Sequence, residues 1–442
     1  MRYFKFVSFS VLTVFGAVSL LTAKGIFITP GVRAGGMGSS YIAVANDATA
    51  VYWNPAGLAQ LKDPEAELSA FYIDDNTESN TSLKNVSAPD SKNGDFPFKK
   101  ILPTEPSEFK SKKMKTAALI PCGAGLIQLK GFTVGAAAYG VGGGGGTWED
   151  KVADITGKDT LAAEVKSKYF FIVGNLSAAK QITEKLYLGL GLDMVNMSDS
   201  KDVSKTYTRG TGSAAPVNYS AKIGIDSSGY GLQANAGVIY SIMNNLKAGA
   251  VFRSGTTIKM DGEATYVQTG LAALGAAYAD VNFKTDFDRE YAYPMTYGIG
   301  VSYEPVKNLT FACSAERNEY STMKDDYKYD TPLAGIFANV DAKSGWKDIT
   351  QLRIGAEYKL NEKISVRGGA YTDPAPYSQS KLTLLDVNQY DIIFGTLGLG
   401  YDFGRINVDA SYIKGFSDKP SIGARSYEYP LDTFKLGAGY KF

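Results

Sequence analysis

The stretch Phe434-Lys435-Leu436-Gly437-Ala438-Gly439-Tyr440-Lys441-Phe442 places an apolar side chain at every second position and Lys or Gly between. A period of two with one apolar face is the pattern of a β-strand between an apolar and a polar medium. The pattern recurs upstream. Ile406, Val408, Ala410 and Tyr412 oppose Arg405, Asn407, Asp409 and Ser411. Leu352, Ile354, Ala356, Tyr358 and Leu360 oppose Arg353, Gly355, Glu357 and Lys359. Leu186, Leu188, Leu190, Leu192 and Met194 oppose Tyr187, Gly189, Gly191 and Asp193. Fourteen such stretches follow one another from Ala66 to Phe442, and the gaps between them alternate in length. The long gaps are about 75–113, 142–166, 200–225, 261–290, 322–347, 373–388 and 417–428. The short ones fall at Gly123–Lys130, Gln181–Glu184, Ile242–Asn245, Pro305–Lys307, Asn361–Glu362 and Gly404.

An up-and-down meander with turns at one end and loops at the other produces this rhythm. In an outer-membrane barrel the turns are periplasmic and the long loops extracellular. A soluble β-sandwich or β-helix alternates too. Its strands, however, usually run about 5–6 residues, whereas these run to roughly 10–15, enough to cross a membrane at a tilt. The expected fold is an all-β, 14-stranded antiparallel transmembrane barrel. At ~4.8 Å spacing and about 40° tilt its backbone cylinder is roughly 28 Å across, too wide for side chains to fill. The lumen is therefore open or plugged. Residues 24–65 precede the first strand, are rich in Gly and Ala, and are the expected hatch; residues 66–442 are the barrel.

Residues 1–23 read as a cleaved signal peptide. Arg2 and Lys5 precede an uncharged apolar run from Phe6 to Thr22, and Ala23 ends it with a small residue. The run is short for a membrane anchor, and no Cys lies near the cleavage point for lipid attachment. Removing Arg2 and Lys5 takes the formal charge from +1 to −1, which gives no electrostatic case for nucleic acid. There is no His, so Ser-His and Cys-His nucleophile pairs cannot be built, and no enzyme activity, cofactor or metal is expected. Cys122 and Cys313 are too few for a thiolate cluster; the register puts Cys313 on the lipid face and Cys122 at a turn. The 29 Tyr and 48 Gly suit a barrel wall, Tyr at membrane interfaces and Gly where strands curve or a plug comes close.

The segments Gly31-Val32-Arg33-Ala34-Gly35-Gly36-Met37-Gly38-Ser39-Ser40 and Ala45-Asn46-Asp47-Ala48-Thr49-Ala50-Val51-Tyr52-Trp53-Asn54-Pro55-Ala56-Gly57-Leu58-Ala59 resemble the N-terminal hatch of the FadL-type (OMPP1/FadL/TodX) outer-membrane transporter family. Weaker similarity runs through Tyr293–Gly298, Asn308–Thr310, Arg353–Tyr358 and Ser365–Asp373. The resemblance implies a monomeric channel that takes up long-chain fatty acids or other hydrophobic molecules, with a hatch that shifts on ligand binding and a sideways exit into the outer-membrane lipid. The same hatch spelling also resembles PorV-like components of type IX secretion, which would make the barrel a partner-binding scaffold.

The resemblance implies site residues. Asn54, Pro55, Ala56 and Gly57 would form the gating motif; the residues themselves read equally as a turn that ends one short helix and starts another. The uncharged loop around Val267, Leu271, Leu274 and Tyr278 has these four on one helical face. It reads as one wall of an apolar capture groove or as packing over the mouth. Arg253, Arg353 and Arg367 point inward and could meet a ligand carboxylate, with Glu316, Glu357 and Asp409 as internal partners. Gly135, Gly140 and Gly142 mark where strand three would kink to open the wall; a plain flexible loop is the alternative. The terminal aromatic Phe442 resembles the signal read by the outer-membrane assembly machinery.

Overall fold

A computed structural model describes residues 29–82, 108–110, 114–153, 160–209, 217–270, 280–333, 336–343, 346–376, 391–417, 421–422, 425–428 and 431–442. The proposed signal peptide lies outside these. The strands are β1 Glu65–Ser82, β2 Met114–Leu129, β3 Phe132–Ala153, β4 Thr160–Gln181, β5 Leu186–Arg209 and β6 Val217–Met243. Four crossings follow in two segments each. They are β7 (Leu246–Arg253 and Thr256–Thr269), β8 (Val281–Tyr293 and Thr296–Val306), β9 (Leu309–Asn318 and Lys324–Tyr329) and β10 (Val340–Lys343 and Ile349–Lys359). The last four are β11 Ile364–Asp373, β12 Ile392–Asp402, β13 Ile406–Phe416 and β14 Leu431–Lys441. Each strand pairs antiparallel with its neighbour in sequence. β14 pairs with β1 from Glu65↔Lys441 to Asp75↔Leu431, which closes a 14-stranded barrel.

Alternation sorts the side chains as expected. On β14, Phe434, Leu436, Ala438 and Tyr440 face out and Thr433, Lys435, Gly437 and Gly439 face in. The outer surface carries Leu68, Leu190, Ile299, Ile354, Leu397 and Leu436, each more than half exposed. Only a lipid surround makes such a surface tolerable.

The structure corrects several boundaries. Gly123–Leu129 is strand, not turn; the β2–β3 hairpin turns at Lys130–Gly131, with Gly131 at φ 85. Cys122 is therefore buried mid-strand on the inner face, while Cys313 faces out, and both thiols are free. The strands are also longer than the pattern implies: β6 alone runs 27 residues. Beyond the apolar belt the outward positions of β5 to β8 turn polar, with Asp202, Lys222, Asp261 and Lys284, while Val203, Ile223, Tyr266 and Phe287 join a buried inward cluster; the apolar outer face fades while the ladder continues. Val267 accordingly sits in strand, paired with Asn282 and Lys222, and not on a helix as expected.

Residues 29–61 lie inside the barrel, in the half nearer the turns. Helix α1 (Val32–Gly36) packs on β11 to β14, and α2 (Ala50–Trp53) leads into a 3-10 turn, Pro55–Gln60. Nine strands meet this segment with an inward glycine: Gly135, Gly189, Gly237, Gly249, Gly298, Gly355, Gly369, Gly398 and Gly437. A Cβ at any of them would come within 3.0 Å of hatch atoms. The glycine count of the sequence thus has a use beyond curvature: it makes the seat of the plug.

Candidate functional site

The hatch is tied to the wall by ions and by one amide. Arg33 on α1 grips Glu357 of β10 with both arms of its fork, Nε at 2.8 Å and Nη2 at 2.7 Å. Glu357 also accepts from Arg367 Nε at 2.6 Å, and Arg367 Nη1 donates to Asp409 at 2.5 Å. Two arginines and two carboxylates thus neutralise one another across α1, β10, β11 and β13. Burial, with the Asp47 carboxylate beside it, lifts the Tyr41 phenol well above its ordinary range, so it stays a neutral donor to Asp47.

Asn54 ends α2 and caps the 3-10 turn, its Oδ1 accepting from Ala56 N at 3.2 Å. Its backbone is extended, φ −168, so no unusual conformation is needed. The amide nitrogen does more. It shares its hydrogens among the carbonyls of Ile42 (2.9 Å), Val238 on β6 (3.1 Å) and Ala250 on β7 (3.3 Å). Pro55 opens the turn at its first position, and Gly57 N donates to Asn54 O at 2.8 Å. The motif stops one helix, starts the next and ties both to the barrel.

A second ionic group lies against α2. Arg253 Nη1 and Arg353 Nη2 both reach Glu316, at 3.3 and 3.1 Å. Arg253 also donates to the Tyr52 carbonyl and lies 4.7 Å from the Tyr52 ring. Arg353 donates to Gln351 Oε1 at 2.5 Å and lies 5.6 Å from the Trp53 ring. Its Nε and Nη1 are buried with no hydrogen-bond partner among the described residues. A donor left so costs about 1–3 kcal/mol, and a desolvated cation–π contact returns about 2 kcal/mol. All three predicted inward arginines therefore point inward, paired with the predicted acids.

Aromatic rings continue from the hatch to the wall. Tyr52 meets Trp53 at 5.0 Å and Tyr139 of β3 at 5.3 Å, and Phe171 of β4 meets Tyr293 at 5.6 Å. At Tyr139 the wall itself changes. Residues 122–129 of β2 pair with 132–139 of β3, and the ladder stops at Cys122↔Tyr139. Above that, among the described residues, 114–121 of β2 pair only with β1, and 140–153 of β3 only with β4. Pro121 has no N–H to offer, and β3 carries a bulge between Gly140 and Gly142 against β4. A cavity of about 900 Å³ occupies this break. It is lined by outward Leu68, Ile172 and Leu436 and by buried Cys122, Tyr139 and Phe171, so both lipid-facing and inward-facing side chains border it.

Of the other predicted residues, Gly140 and Gly142 line this break. Gly135 lies lower, against Val51 and Leu58 of the hatch. Leu271, Leu274 and Tyr278 lie outside the described residues. Arg33, Trp53 and Pro121 belong with the site, and sequence reasoning did not single them out. A Pro within a strand pattern marks a lost ladder bond, so Pro121 carried a readable signal.

A sequence model described as outer membrane protein transport protein (OMPP1/FadL/TodX) matches residues 17–438. No curated protein matches the chain. Among solved structures, a Pseudomonas aeruginosa FadL homologue is similar with a TM-score of 0.70 and 17% identity over 95% of this chain and 100% of that one. The P. putida toluene transporter TodX gives 0.67 and 15%, over 93% and 98%. The Ralstonia pickettii toluene transporter TbuX gives 0.60 and 15%, over 94% and 99%. At these identities the likeness is one of fold.

Proposed function

The chain belongs to the OMPP1/FadL/TodX family of outer membrane transport proteins, and from that we propose that it takes up long-chain fatty acids or similar hydrophobic molecules passively and releases them sideways into the outer membrane. The observation that carries this reading is the break between β2 and β3. A porin for polar solutes needs an unbroken wall and a wet lumen. Here a cavity of about 900 Å³ with largely apolar lining lies at the break, bordered by lipid-facing Leu68 and Leu436 and by buried Cys122 and Tyr139, which supports a sideways exit. Burial of a chain of ~16 carbons is worth on the order of 12 kcal/mol gross at ~0.8 kcal/mol per CH₂, so a dry path suffices to hold it. In this reading the ligand lands near Leu271, Leu274 and Tyr278 at the loop end, enters the lumen past Arg253, Arg353 and Arg367, shifts the hatch at Asn54–Gly57, and leaves by Gly140 and Gly142. The toluene carried by TodX and TbuX is hydrophobic too. The secretion-scaffold reading is not favoured, because the matched family is one of transport proteins.

The test fills the break. A Cβ on Gly140 would already meet Ile120 Cγ2 at 2.7 Å, so Gly140→Leu obstructs the cavity from within. Cells carrying it should take up a fluorescent long-chain fatty acid several-fold more slowly, with the purified barrel still binding the ligand. Uptake at the unmodified rate would remove the lateral exit from the reading.

A further inference from the structure

We propose that the break between β2 and β3 is a lipid site: an acyl chain of the surrounding membrane seats in the cavity and stops the wall there until cargo exchanges with it. The occupant is the membrane's own lipid and not the cargo, so the proposal goes beyond the uptake reading. The cavity lies at the depth of the apolar belt. The outer row Val408, Ala438, Leu68, Gly123 and Ala138 runs through consecutive ladder pairs of β13, β14, β1, β2 and β3. All five residues line the cavity. Leu68 and Leu436, which border it, are 73% and 62% exposed and so meet lipid. From this row the lining continues to Cys122, Tyr139 and Phe171, which are buried.

The chemistry of the lining selects a tail over a head group. None of the described residues that line the cavity is charged. Its volume of about 900 Å³ falls within the range of ligand pockets, about 300–1,000 Å³. Water gains little in such a space, because a buried water needs about three polar partners and apolar cavities stay dry. A void forfeits the dispersion contacts of its walls. An acyl chain is the neighbour that fills the space with neither loss, and the lipid-facing part of the lining is continuous with the surface that acyl chains already cover. Gly123 has no side chain to stand in the way; a Cβ there would meet Leu68 Cδ2 at 3.2 Å. Cargo then leaves by exchanging one apolar chain for another, and the wall stays filled throughout.

The chain has three tryptophans, Trp53, Trp148 and Trp346. The test uses the full-length Trp148→Phe/Trp346→Phe protein in phosphatidylcholine vesicles with no added fatty acid. Trp53, in the hatch, supplies the baseline emission. One further tryptophan is placed at Phe171 in the break, at Leu436 on the lipid face, or at Phe394. Phe394 is also inward, aromatic and buried, but it pairs with strands on both sides. Exchanging the lipid for one brominated on its acyl chains should quench Phe171→Trp several-fold more than Phe394→Trp and nearly as much as Leu436→Trp. Tyr139→Trp, at the same cavity, should follow Phe171→Trp and replaces it if that variant does not fold. Adding Gly140→Leu should bring the quenching at position 171 or 139 down to that of Phe394→Trp and leave Leu436→Trp unchanged. The proposal fails if positions 171 and 394 are quenched alike, or if Gly140→Leu leaves the quenching in the break where it was. Such a failure leaves the uptake reading standing, since a cargo path needs no resident lipid. Failed uptake with the expected quenching leaves the lipid site standing, since the vesicles carry no cargo.

Discussion

Asn54 shows how a single side chain joins two parts of the molecule. Its amide serves a helix end, a 3-10 start and the carbonyls of two barrel strands. Asn54→Ala removes these bonds at roughly 1 kcal/mol each, enough to loosen the hatch without unfolding the wall. The expected outcome is a fall in hydrophobic uptake, measured in cells, with the bilayer conductance still near zero. Unchanged uptake would leave the motif a structural one. The Asn-Pro-Ala spelling was legible in the sequence, because Asn and Pro have well-defined local uses. The reach of its Nδ2 to Val238 and Ala250 was not, since it depends on where residues nearly two hundred positions away come to lie. The ion pairs divide the same way. Inward registers made Glu316, Glu357 and Asp409 candidates for the three arginines, but nothing in the chain revealed that Arg33 would close the set.

At the scale of elements, the hatch and its seat are matched by size. Gly355 faces the Met37 carbonyl and Gly237 faces the Asn54 amide, with no room for a methyl group. Gly355→Val should therefore displace the hatch rather than the strand, because overpacking against a loosely held insert is relieved most easily by moving the insert. In a planar bilayer this variant should conduct where the unmodified protein is nearly silent, and its heat-modifiable mobility should be retained. Loss of both folding and conductance would show that the seat is needed to build the barrel. Strand existence and facing were legible here, because one period-two face meets lipid. Boundaries were not. The Gly-Ala-Pro-rich run about 121–125 has the composition of a turn, yet it continues β2 through ladder bonds that no local pattern records. Val267 was misplaced for a related reason: an uncharged run is as compatible with an extended strand as with a helix.

The whole molecule is a cylinder closed by an insert, and the insert can be removed. Deleting residues 24–60 should leave a folded barrel, since β1 begins at Glu65 and the ladder closes through Glu65↔Lys441 without the hatch. That barrel should conduct ions steadily in a bilayer. If it conducts no better than the intact protein, the plug assignment is wrong. Orientation follows from the same plan. Epitope tags at Ser87 or Thr211, within two of the long gaps in the sequence, should be accessible on intact cells, and a tag at Asn361, in a turn, should not; the reverse pattern would invert the topology. The strand count and the antiparallel order were legible from the spacing of gaps, but the opening between β2 and β3 was legible only as a glycine-rich stretch, because a missing ladder is a relation between strands. The ring of inward glycines carries a consequence for descent. They meet the hatch at points spread from Val32 to Leu58, five of them against its backbone, so neither half can drift alone. Among relatives that differ at five residues in six, these positions should remain glycine wherever the insert keeps its path. A hatch transplanted from such a relative should seat in this barrel only as well as its backbone follows that path.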